Sequence, residues 1–481
     1  MRIISFVGIL YLRIINSCAI MVLGNGGAIM ILKRKAYNEL LKWKQETNGS
    51  RAILIEGARR IGKSTIVEEF AKNEYKSYIL IDFAKASKTV IDAFANHKNN
   101  FDELFMILSL EYGVKLFKRE SAIIFDEVQL YPQARQLIKY LVADGRYDYI
   151  ETGSLISIKE NVQNILIPSE ERNLKMYPLD FEEFCWCFGE EILVEYIRKC
   201  FNEQRPLDEK LHDKAMLLFR QYLLIGGMPR SVISFLEGTR DFDSADREKR
   251  DILNLYRDDI LKITDRYRSK VLAIFEQLPG FLSKHEKRVV LSKIAKGSTL
   301  DQYTDTFFWL GNSMICNECF LTRDPNIGLA LNEDRSYIKC YMGDTGLLVS
   351  HAFDENSLAD SELYKQIIND KLSVNEGMLY ENAIAQMLVA NGHKLYFYTH
   401  YSEEKRRNDI EIDFIISNND KIKYKIYPIE VKSSKKYSIA SLERFKEKYK
   451  SRIGECYVIH PKNFSIKDGI TYLPAYMAMF L

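Results

Sequence analysis

Residues 57–64 have the types and spacing of a loop that binds nucleotide phosphates. They read Gly-Ala-Arg-Arg-Ile-Gly-Lys-Ser and match the pattern G-x-x-x-x-G-K-[ST]. Its glycines let backbone N–H groups point at phosphate oxygens, while Lys63 reaches the β- and γ-phosphates and Ser64 holds Mg²⁺. The sequence predicts a site for ATP and Mg²⁺. The expected contact residues are Gly57, Ala58, Arg59, Arg60, Ile61, Gly62, Lys63, Ser64 and Thr65.

Two adjacent carboxylates, Asp126 and Glu127, follow the apolar run 122–125. A buried parallel strand would place Asp126 at its carboxyl end, where ligands bind in such sheets. We expect Asp126 to position Mg²⁺ and Glu127 to act as general base for the attacking water. The alternative is an ordinary strand end with two solvated acids.

A further apolar segment ends in small polar residues at Thr152 and Ser154. A polar residue at this point can sense the γ-phosphate, and either side chain is a candidate. With strands expected at 52–55, 78–82 and 122–125, this segment completes four strands that alternate with helices. The pattern predicts an α/β nucleotide-binding domain with a parallel sheet.

The C-terminal part carries a second group of charged residues. Glu381 lies in an expected helix that begins at Gly377, Asp413 lies in an alternating strand, and Glu430 and Lys432 lie in another. Strand alternation places Glu430 and Lys432 on one face.

This order resembles the PD-(D/E)XK nuclease core. The resemblance implies that Asp413 and Glu430 share one Mg²⁺ with the Val431 carbonyl, that Lys432 reaches the metal-bound water or the scissile phosphate, and that Glu381 adds an outer carboxylate. However, E-x-K is frequent in strands, and related domains can keep the fold without cleaving. The residues expected to contact DNA phosphates are Lys405, Arg406, Arg407, Lys435 and Lys436. The alternative is that this basic cluster is only a solvated face.

Eight motifs in order resemble the bacterial and archaeal AAA-type ATPases that carry a C-terminal domain of unknown function related to restriction-endonuclease folds. The resemblance implies ATP binding and hydrolysis and no settled biological role. Arg172 is similar to a family arginine that acts as a sensor or finger, and a surface salt bridge is the equal alternative. The motifs begin at Gly57, Phe125, Thr152, Arg172, Gly226, Tyr256, Tyr341 and Glu430.

Length and composition limit the class of protein. A chain of 481 residues with 47% hydrophobic content is neither disordered nor a single ordinary core. A net charge of +2 disfavours uniform polybasic coating of nucleic acid but permits one basic face. Eight cysteines read as reduced thiols of a cytoplasmic protein, and the pairs Cys316/Cys319 and Cys185/Cys187 read as buried rather than as zinc ligands.

We expect an α/β protein with a P-loop sheet, a helical lid with a winged-helix-like region, and a C-terminal α/β restriction-endonuclease-like domain. A helix-turn-helix is possible over 289–320, with a structural connector favoured over a DNA reader. The expected divisions are an extension at 1–32, an ATP-binding domain at 33–165, a helical lid at 166–285, a connector at 286–350 and the C-terminal domain at 370–470.

The uncharged run from Ile14 to Leu32 is about long enough to span a bilayer, although it contains three glycines. We favour translation that starts near Met30 over a membrane anchor.

The function that this sequence predicts is Mg-ATP hydrolysis coupled to a nuclease-like domain that acts on DNA, in a chain that can form homo-oligomers. The alternative is a nucleotide-gated switch that binds nucleic acid or protein and cleaves nothing.

Overall fold

A computed structural model describes most of the chain. The described residues are 19–24, 27–154, 169–237, 241–263, 265–284, 289, 303–353, 376–404, 406–418 and 425–481.

The N-terminal segment forms an antiparallel hairpin of β1 (Ala19–Gly24) and β2 (Gly27–Leu32). This hairpin covers much of the uncharged run. Among the described residues, no helix has the length and apolar character needed to cross a bilayer.

A five-stranded parallel sheet follows, in the order β4-β5-β6-β3-β7. Its central strands are apolar and buried, as strands covered on both faces must be. The strands are β3 (Ala52–Glu56), β4 (Ser77–Asp82), β5 (Ser121–Asp126), β6 (Asp148–Gly153) and β7 (Glu171–Lys175). The surrounding helices are α1 (Lys35–Thr47), α2 (Lys63–Glu74), α3 (Lys88–Asn96), α4 (Phe101–Tyr112) and α5 (Pro132–Asp144).

The edge strand β7 is an addition to the four strands that the sequence predicts. Its residues Glu-Arg-Asn-Leu-Lys are mostly polar and partly exposed, so no apolar run marks it. Because β7 lies beyond residue 165, the sheet extends past the expected end of its domain.

The described residues between this sheet and residue 284 form six helices. The first, α6, begins with a capping box in which Asp180 and Glu183 each accept a hydrogen bond from the other's backbone N–H. They are α6 (Phe181–Cys187), α7 (Glu191–Asn202), α8 (Glu209–Ile225), α9 (Pro229–Glu237), α10 (Phe242–Leu261) and α11 (Asp265–Leu282).

The C-terminal part contains an eight-stranded mixed sheet in the order β14-β15-β13-β12-β11-β10-β8-β9. Its strands are β8 (Cys316–Thr322), β9 (Glu333–Met342), β10 (Leu395–Ser402), β11 (Arg407–Asn418), β12 (Lys425–Val431), β13 (Tyr457–His460), β14 (Ser465–Lys467) and β15 (Ile470–Pro474). The helices of this part are α12 (Thr304–Asn312), α13 (Thr345–Ala352), α14 (Glu376–Ala390) and α15 (Ala440–Lys448).

Strands β8 and β9 come from the segment that the sequence assigned to a connector, and β8 pairs in parallel with β10. The first helix and the turn of the expected helix-turn-helix lie outside the described residues. Within that motif the structure places α12, which begins at Thr304 rather than near Leu300.

One continuous apolar core joins these parts. It runs from Leu40 and Trp43 in α1, through Phe181 and Tyr222 in the helical region, to Tyr476 near the C-terminus. The nucleotide-binding sheet and the C-terminal sheet are therefore packed into one body through the helices between them.

Candidate functional site

The predicted phosphate-binding loop connects the buried strand β3 to helix α2. Gly62 caps the helix with φ of 89°, a conformation that side chains disfavour and that turns successive N–H groups toward one point. The helix N-terminus adds its partial positive charge at the same place. The strand, loop and helix that the motif requires are all present.

Lys63 lies inside the loop with only 7% of its surface exposed. Its ammonium donates hydrogen bonds to the carbonyls of Gly57, at 3.0 Å, and Ala58, at 2.8 Å. Burial lowers the pKa of Lys63 to about 8, although Glu127 and Asp126 favour the charged form. The loop therefore holds a cation that gains from the approach of an anion.

Asp126 ends β5 beside α2 and β6. Its Oδ1 accepts a hydrogen bond from Ser64 Oγ at 2.8 Å and another from Thr152 Oγ1. Carboxylate and hydroxyl oxygens are the donors that Mg²⁺ prefers, so Ser64 and Asp126 fit the predicted ion. Thr152 is buried against Asp126, whereas Ser154 lines the neighbouring cavity, so the two sensor candidates occupy different places.

Glu127 leaves the strand in the left-handed region, with φ of 53°. Its Oε2 accepts a hydrogen bond from Gln129 Nε2. A non-glycine residue in this region is strained, and such strain persists only where neighbours fix it. The strain turns the Glu127 carboxylate toward two cavities that meet at the loop.

The first cavity, of about 450 Å³, lies directly over the phosphate-binding loop. Its lining combines the loop with the start of α9 and with the segment before α1. The lining residues are Ile31, Leu32, Arg34, Arg59, Arg60, Gly62, Lys63, Ser64, Thr65, Ile66, Glu127, Pro229, Arg230 and Ile233.

Arg172 is placed away from this cavity. It lies on the edge strand β7, and its guanidinium contacts Glu46 Oε2 at 2.6 Å on the surface. Of the two alternatives that the sequence left open for Arg172, the structure contains the surface ion pair, with Glu46.

The four C-terminal candidates converge between α14, β11 and β12. Asp413 Oδ2 accepts a hydrogen bond from the Val431 backbone N–H at 2.9 Å, and Lys432 Nζ lies 2.5 Å from Glu430 Oε1. Burial raises the pKa of Glu430 to about 7, although the Lys432 ammonium opposes this shift. Glu381 is 2% exposed and accepts a hydrogen bond from Tyr341.

A lysine that the sequence analysis did not select, Lys339 of β9, also lies in this cluster. Its Nζ is 3.5 Å from Glu381 Oε1 and 4.0 Å from Asp413 Oδ1. These carboxylates raise the pKa of Lys339 against the opposing effect of its burial. In the part of the chain that the structure covers, no group of three or more His, Cys, Asp or Glu side chains is arranged to hold a metal ion.

The expected DNA-phosphate contacts are only partly described. Arg406, Arg407, Lys435 and Lys436 are exposed, and Lys405 lies outside the described residues. The seven cysteines with described positions are buried thiols, including both predicted pairs. Burial raises the pKa of Cys187 to about 12 and that of Cys456 to about 11.

Residues 49–185 match the family described as "AAA domain". The chain carries an AAA-type P-loop ATPase domain. The match covers the strand, loop and helix around Lys63 together with Asp126, Glu127 and the edge strand β7.

The rest of the chain matches families without an assigned role. Residues 216–357 match a domain of unknown function (DUF8612), and residues 376–477 match another (DUF4143). No match to a curated protein was found.

Solved structures resemble the chain only distantly. The Walker-type ATPase PABY2304 of Pyrococcus abyssi is 16% identical, with 67% of this chain and 96% of that chain covered and a TM-score of 0.39. The RuvB Holliday junction branch migration motor of Thermotoga maritima is 12% identical, with 59% and 89% covered and a TM-score of 0.26. The C. elegans protein PCH-2 is 15% identical, with 37% and 50% covered and a TM-score of 0.20. At these scores they support no functional conclusion.

Motif reasoning missed two arginines around the AAA domain's loop, Arg34 and Arg230, and did not predict the ion pair of a third, Arg59. Arg34 is buried and donates to the carbonyls of Ile61, at 2.8 Å, and Tyr177, at 2.6 Å. Arg230 lies in the first turn of α9 and lines the cavity. Arg59, which motif reasoning counted only as part of the loop, forms an ion pair with Asp259 of α10. A charged residue directly after a helix-breaking Gly-Gly-Met-Pro was the one signal in the sequence that could have marked Arg230.

The depressed pKa of Lys63 predicts how ATP affinity changes with pH. Bound phosphates favour the ammonium, so they raise the pKa of Lys63 above its value of about 8 in the free protein. Below pH 8, Lys63 is charged in both the free and the ATP-bound protein, so the affinity for ATP is constant. Above it, binding must take up a proton, and affinity falls by up to about tenfold per pH unit.

Calorimetric titration with Mg-ATP between pH 7 and 10 measures this dependence. Lys63→Ala removes the titrating group, so its weaker affinity should show no change of slope near pH 8. An affinity of the unaltered protein that is flat from pH 7 to 10 would contradict the prediction.

Proposed function

We propose that the AAA domain hydrolyses Mg-ATP and that its nucleotide state controls the C-terminal domain. Hydrolysis is supported by Lys63, Ser64 and Glu127, which line one cavity, and by Asp126, which accepts a hydrogen bond from Ser64. Lys63 stabilises the negative charge that develops on the transferred phosphoryl group, and the loop N–H groups orient it. Glu127 accepts a proton from the attacking water. Magnesium, when bound at Ser64 and Asp126, neutralises phosphate charge.

Control of the C-terminal domain is carried by one observation, the contact between Gly227 and Asp344. The Gly227 N–H donates a hydrogen bond of 2.5 Å to Asp344 Oδ2, and both residues are buried. The fit has no spare room, because a Cβ on Gly227 would lie 2.1 Å from the Leu179 carbonyl oxygen. A shift of this segment must therefore move its neighbours.

Each end of this contact leads to one of the two sites. On one side, Gly227 lies two residues before the start of α9, whose residues Pro229 and Arg230 line the AAA cavity. On the other side, Asp344 caps α13 and accepts a hydrogen bond of 3.3 Å from Gln386 of α14. Helix α14 also carries Glu381.

Loop and lid are also joined directly. Arg59 of the phosphate-binding loop contacts Asp259 of α10 at 2.6 Å, and the hydroxyl of Tyr256 donates to the Arg59 carbonyl at 3.4 Å. Nucleotide binding that rearranges the loop would thus act on both α9 and α10. This supports a switch in which packed elements transmit the change.

The test compares hydrogen exchange with and without ATP in Glu127→Gln, a variant chosen so that ATP is bound without turnover. We expect ATP to slow exchange in α9 and also in α13 and α14. Lys63→Ala is the control, in which neither region should respond.

Phosphate release by the unaltered protein tests hydrolysis separately. Protection confined to residues 49–185 and α9 would refute control of the C-terminal domain and leave ATP binding intact. Absence of phosphate release under all conditions would refute hydrolysis.

A second candidate function, cleavage of DNA by the C-terminal domain, is favoured by the convergence of Asp413, Glu430 and Lys432. Helix α14 and strands β11 and β12, which carry Glu381, Asp413 and Glu430, also follow one another in the order helix, strand, strand that the nuclease-like hypothesis expects. Single- and double-stranded DNA should be incubated with Mg²⁺ or Mn²⁺, with and without ATP. Cleavage that Lys432→Ala abolishes would support this candidate, and no cleavage in any condition would refute it.

A further inference from the structure

The carboxylate cluster of the C-terminal domain contains a buried cation of its own. Lys339 is 1% exposed and enters from β9, a strand that belongs to the hairpin with β8 rather than to the segment resembling a nuclease. Its Nζ lies 5.0 Å from the centre of the Phe397 ring, on the side of the cluster formed by the sheet. The ammonium therefore approaches the carboxylates from inside the protein.

The position of this ammonium is between the carboxylates that would have to hold a metal. It is 3.5 Å from Glu381 Oε1 and 4.0 Å from Asp413 Oδ1. A Mg²⁺ ion needs oxygen ligands at about 2.0–2.1 Å in near-octahedral geometry. An ammonium and a divalent cation at this spacing in a buried site repel strongly, so they exclude each other.

One oxygen of each of the three carboxylates is already used by a neighbouring group. Asp413 Oδ2 accepts the Val431 N–H, Glu381 Oε1 accepts the Tyr341 hydroxyl, and Glu430 Oε1 contacts Lys432. The remaining oxygen of Glu430, Oε2, has no hydrogen-bond partner among the described residues. With the Lys339 ammonium beside Glu381 and Asp413, this one oxygen does not make a divalent-metal site.

The two lysines differ in their freedom to leave. Lys432 is 24% exposed on its side chain and can turn toward solvent, as a phosphate-contacting residue must. Lys339 has a side chain that is 1% exposed, so it cannot turn outward without opening the core. The cluster does not fit the Mg²⁺ that the nuclease resemblance implies.

We propose that Lys339 is the resident cation of this cluster, replacing a divalent metal and tying β9 to α14 and β11. The cluster then binds no metal, the C-terminal domain works as a binding or switching module, and the second candidate function, metal-dependent DNA cleavage at this cluster, fails. This inference does not depend on ATP hydrolysis. Glu411, two residues before Asp413 on the same face of β11, adds negative charge to the surroundings that Lys339 offsets.

The experiment measures Mn²⁺ binding by electron paramagnetic resonance in the full chain with Asp126→Asn, which removes the metal ligand of the AAA domain. This parent protein should bind no Mn²⁺ at the cluster. Adding Lys339→Met should create a site whose affinity for Mn²⁺ is at least about tenfold higher than any residual affinity of the parent at the cluster, because ligand charge sets affinity. The new site should disappear when Asp413→Asn is added.

Lys467→Met, at an exposed position on the edge strand β14, is the matched control and should leave Mn²⁺ binding unchanged. Melting with and without Mn²⁺ gives a second measurement, since Mn²⁺ should raise the melting temperature of the Lys339→Met protein alone. If the Lys339→Met protein does not fold, the double variant Lys339→Met/Glu381→Gln is used in its place. This double variant removes one charge of each sign from the cluster. Asp413-dependent Mn²⁺ binding by the parent would overturn the proposal, as would absence of binding by both folded Lys339 variants.

Discussion

Replacement of Lys63 by alanine should weaken ATP binding by two to three orders of magnitude. The buried ammonium is held by two loop carbonyls, and its loss leaves phosphate charge without this partner. Removing one partner of a buried charge pair costs about 2–5 kcal/mol. This corresponds to roughly 30- to 5,000-fold in affinity.

The matched control is Lys72→Ala on the same helix. Its side chain is 48% exposed and pairs with Glu68 at 2.9 Å, so the affinity for ATP should not change. Calorimetry or displacement of a fluorescent nucleotide measures both variants. An affinity of Lys63→Ala equal to that of the unaltered protein would place the phosphates elsewhere.

Glu127→Gln should lower the rate of hydrolysis by about 10²- to 10⁴-fold, the usual contribution of a positioned general base. Glutamine keeps the shape of the side chain and can still bond to Gln129, but it accepts no proton from water. ATP affinity should be preserved because Lys63, Ser64 and Asp126 are intact.

Phosphate release under single turnover, compared with equilibrium ATP binding, separates these two effects. Glu120→Gln serves as control, since Glu120 directly precedes β5 and is exposed in a pair with Lys76 at 3.3 Å. If Glu127→Gln hydrolysed ATP at the rate of the unaltered protein, the general base would have to be another group.

Local patterns were sufficient to predict the AAA site. The apolar strand β3, the glycine loop and α2 are contiguous, and so are β5 and its terminal carboxylates, so their geometry follows from neighbours in the chain. The convergence of Asp413 with Glu430 and Lys432 follows from a single hairpin between adjacent strands. These positions needed no knowledge of distant contacts.

Distant contacts decide what the sequence did not predict. Lys339 contacts Glu381, which lies 42 positions later in the chain. Within β9, Lys339 stands between the apolar residues Ile338 and Cys340. A charged residue inside an apolar run was the available signal, but only the fold shows its partners. The contact of Gly227 with Asp344 joins residues 117 positions apart, and no periodicity encodes it.

The burial of the seven described cysteines makes these thiols inert to thiol-reactive dyes in the native protein, because a thiol must be reached and ionised before it reacts. Labelling of these seven therefore proceeds only when the fold opens. Cys185 in α6 reports on the helices behind the nucleotide loop, Cys319 in β8 on the sheet beside Lys339, and Cys456 on the loop before β13. The rate at which each sulfur is modified then measures how often that part of the molecule opens.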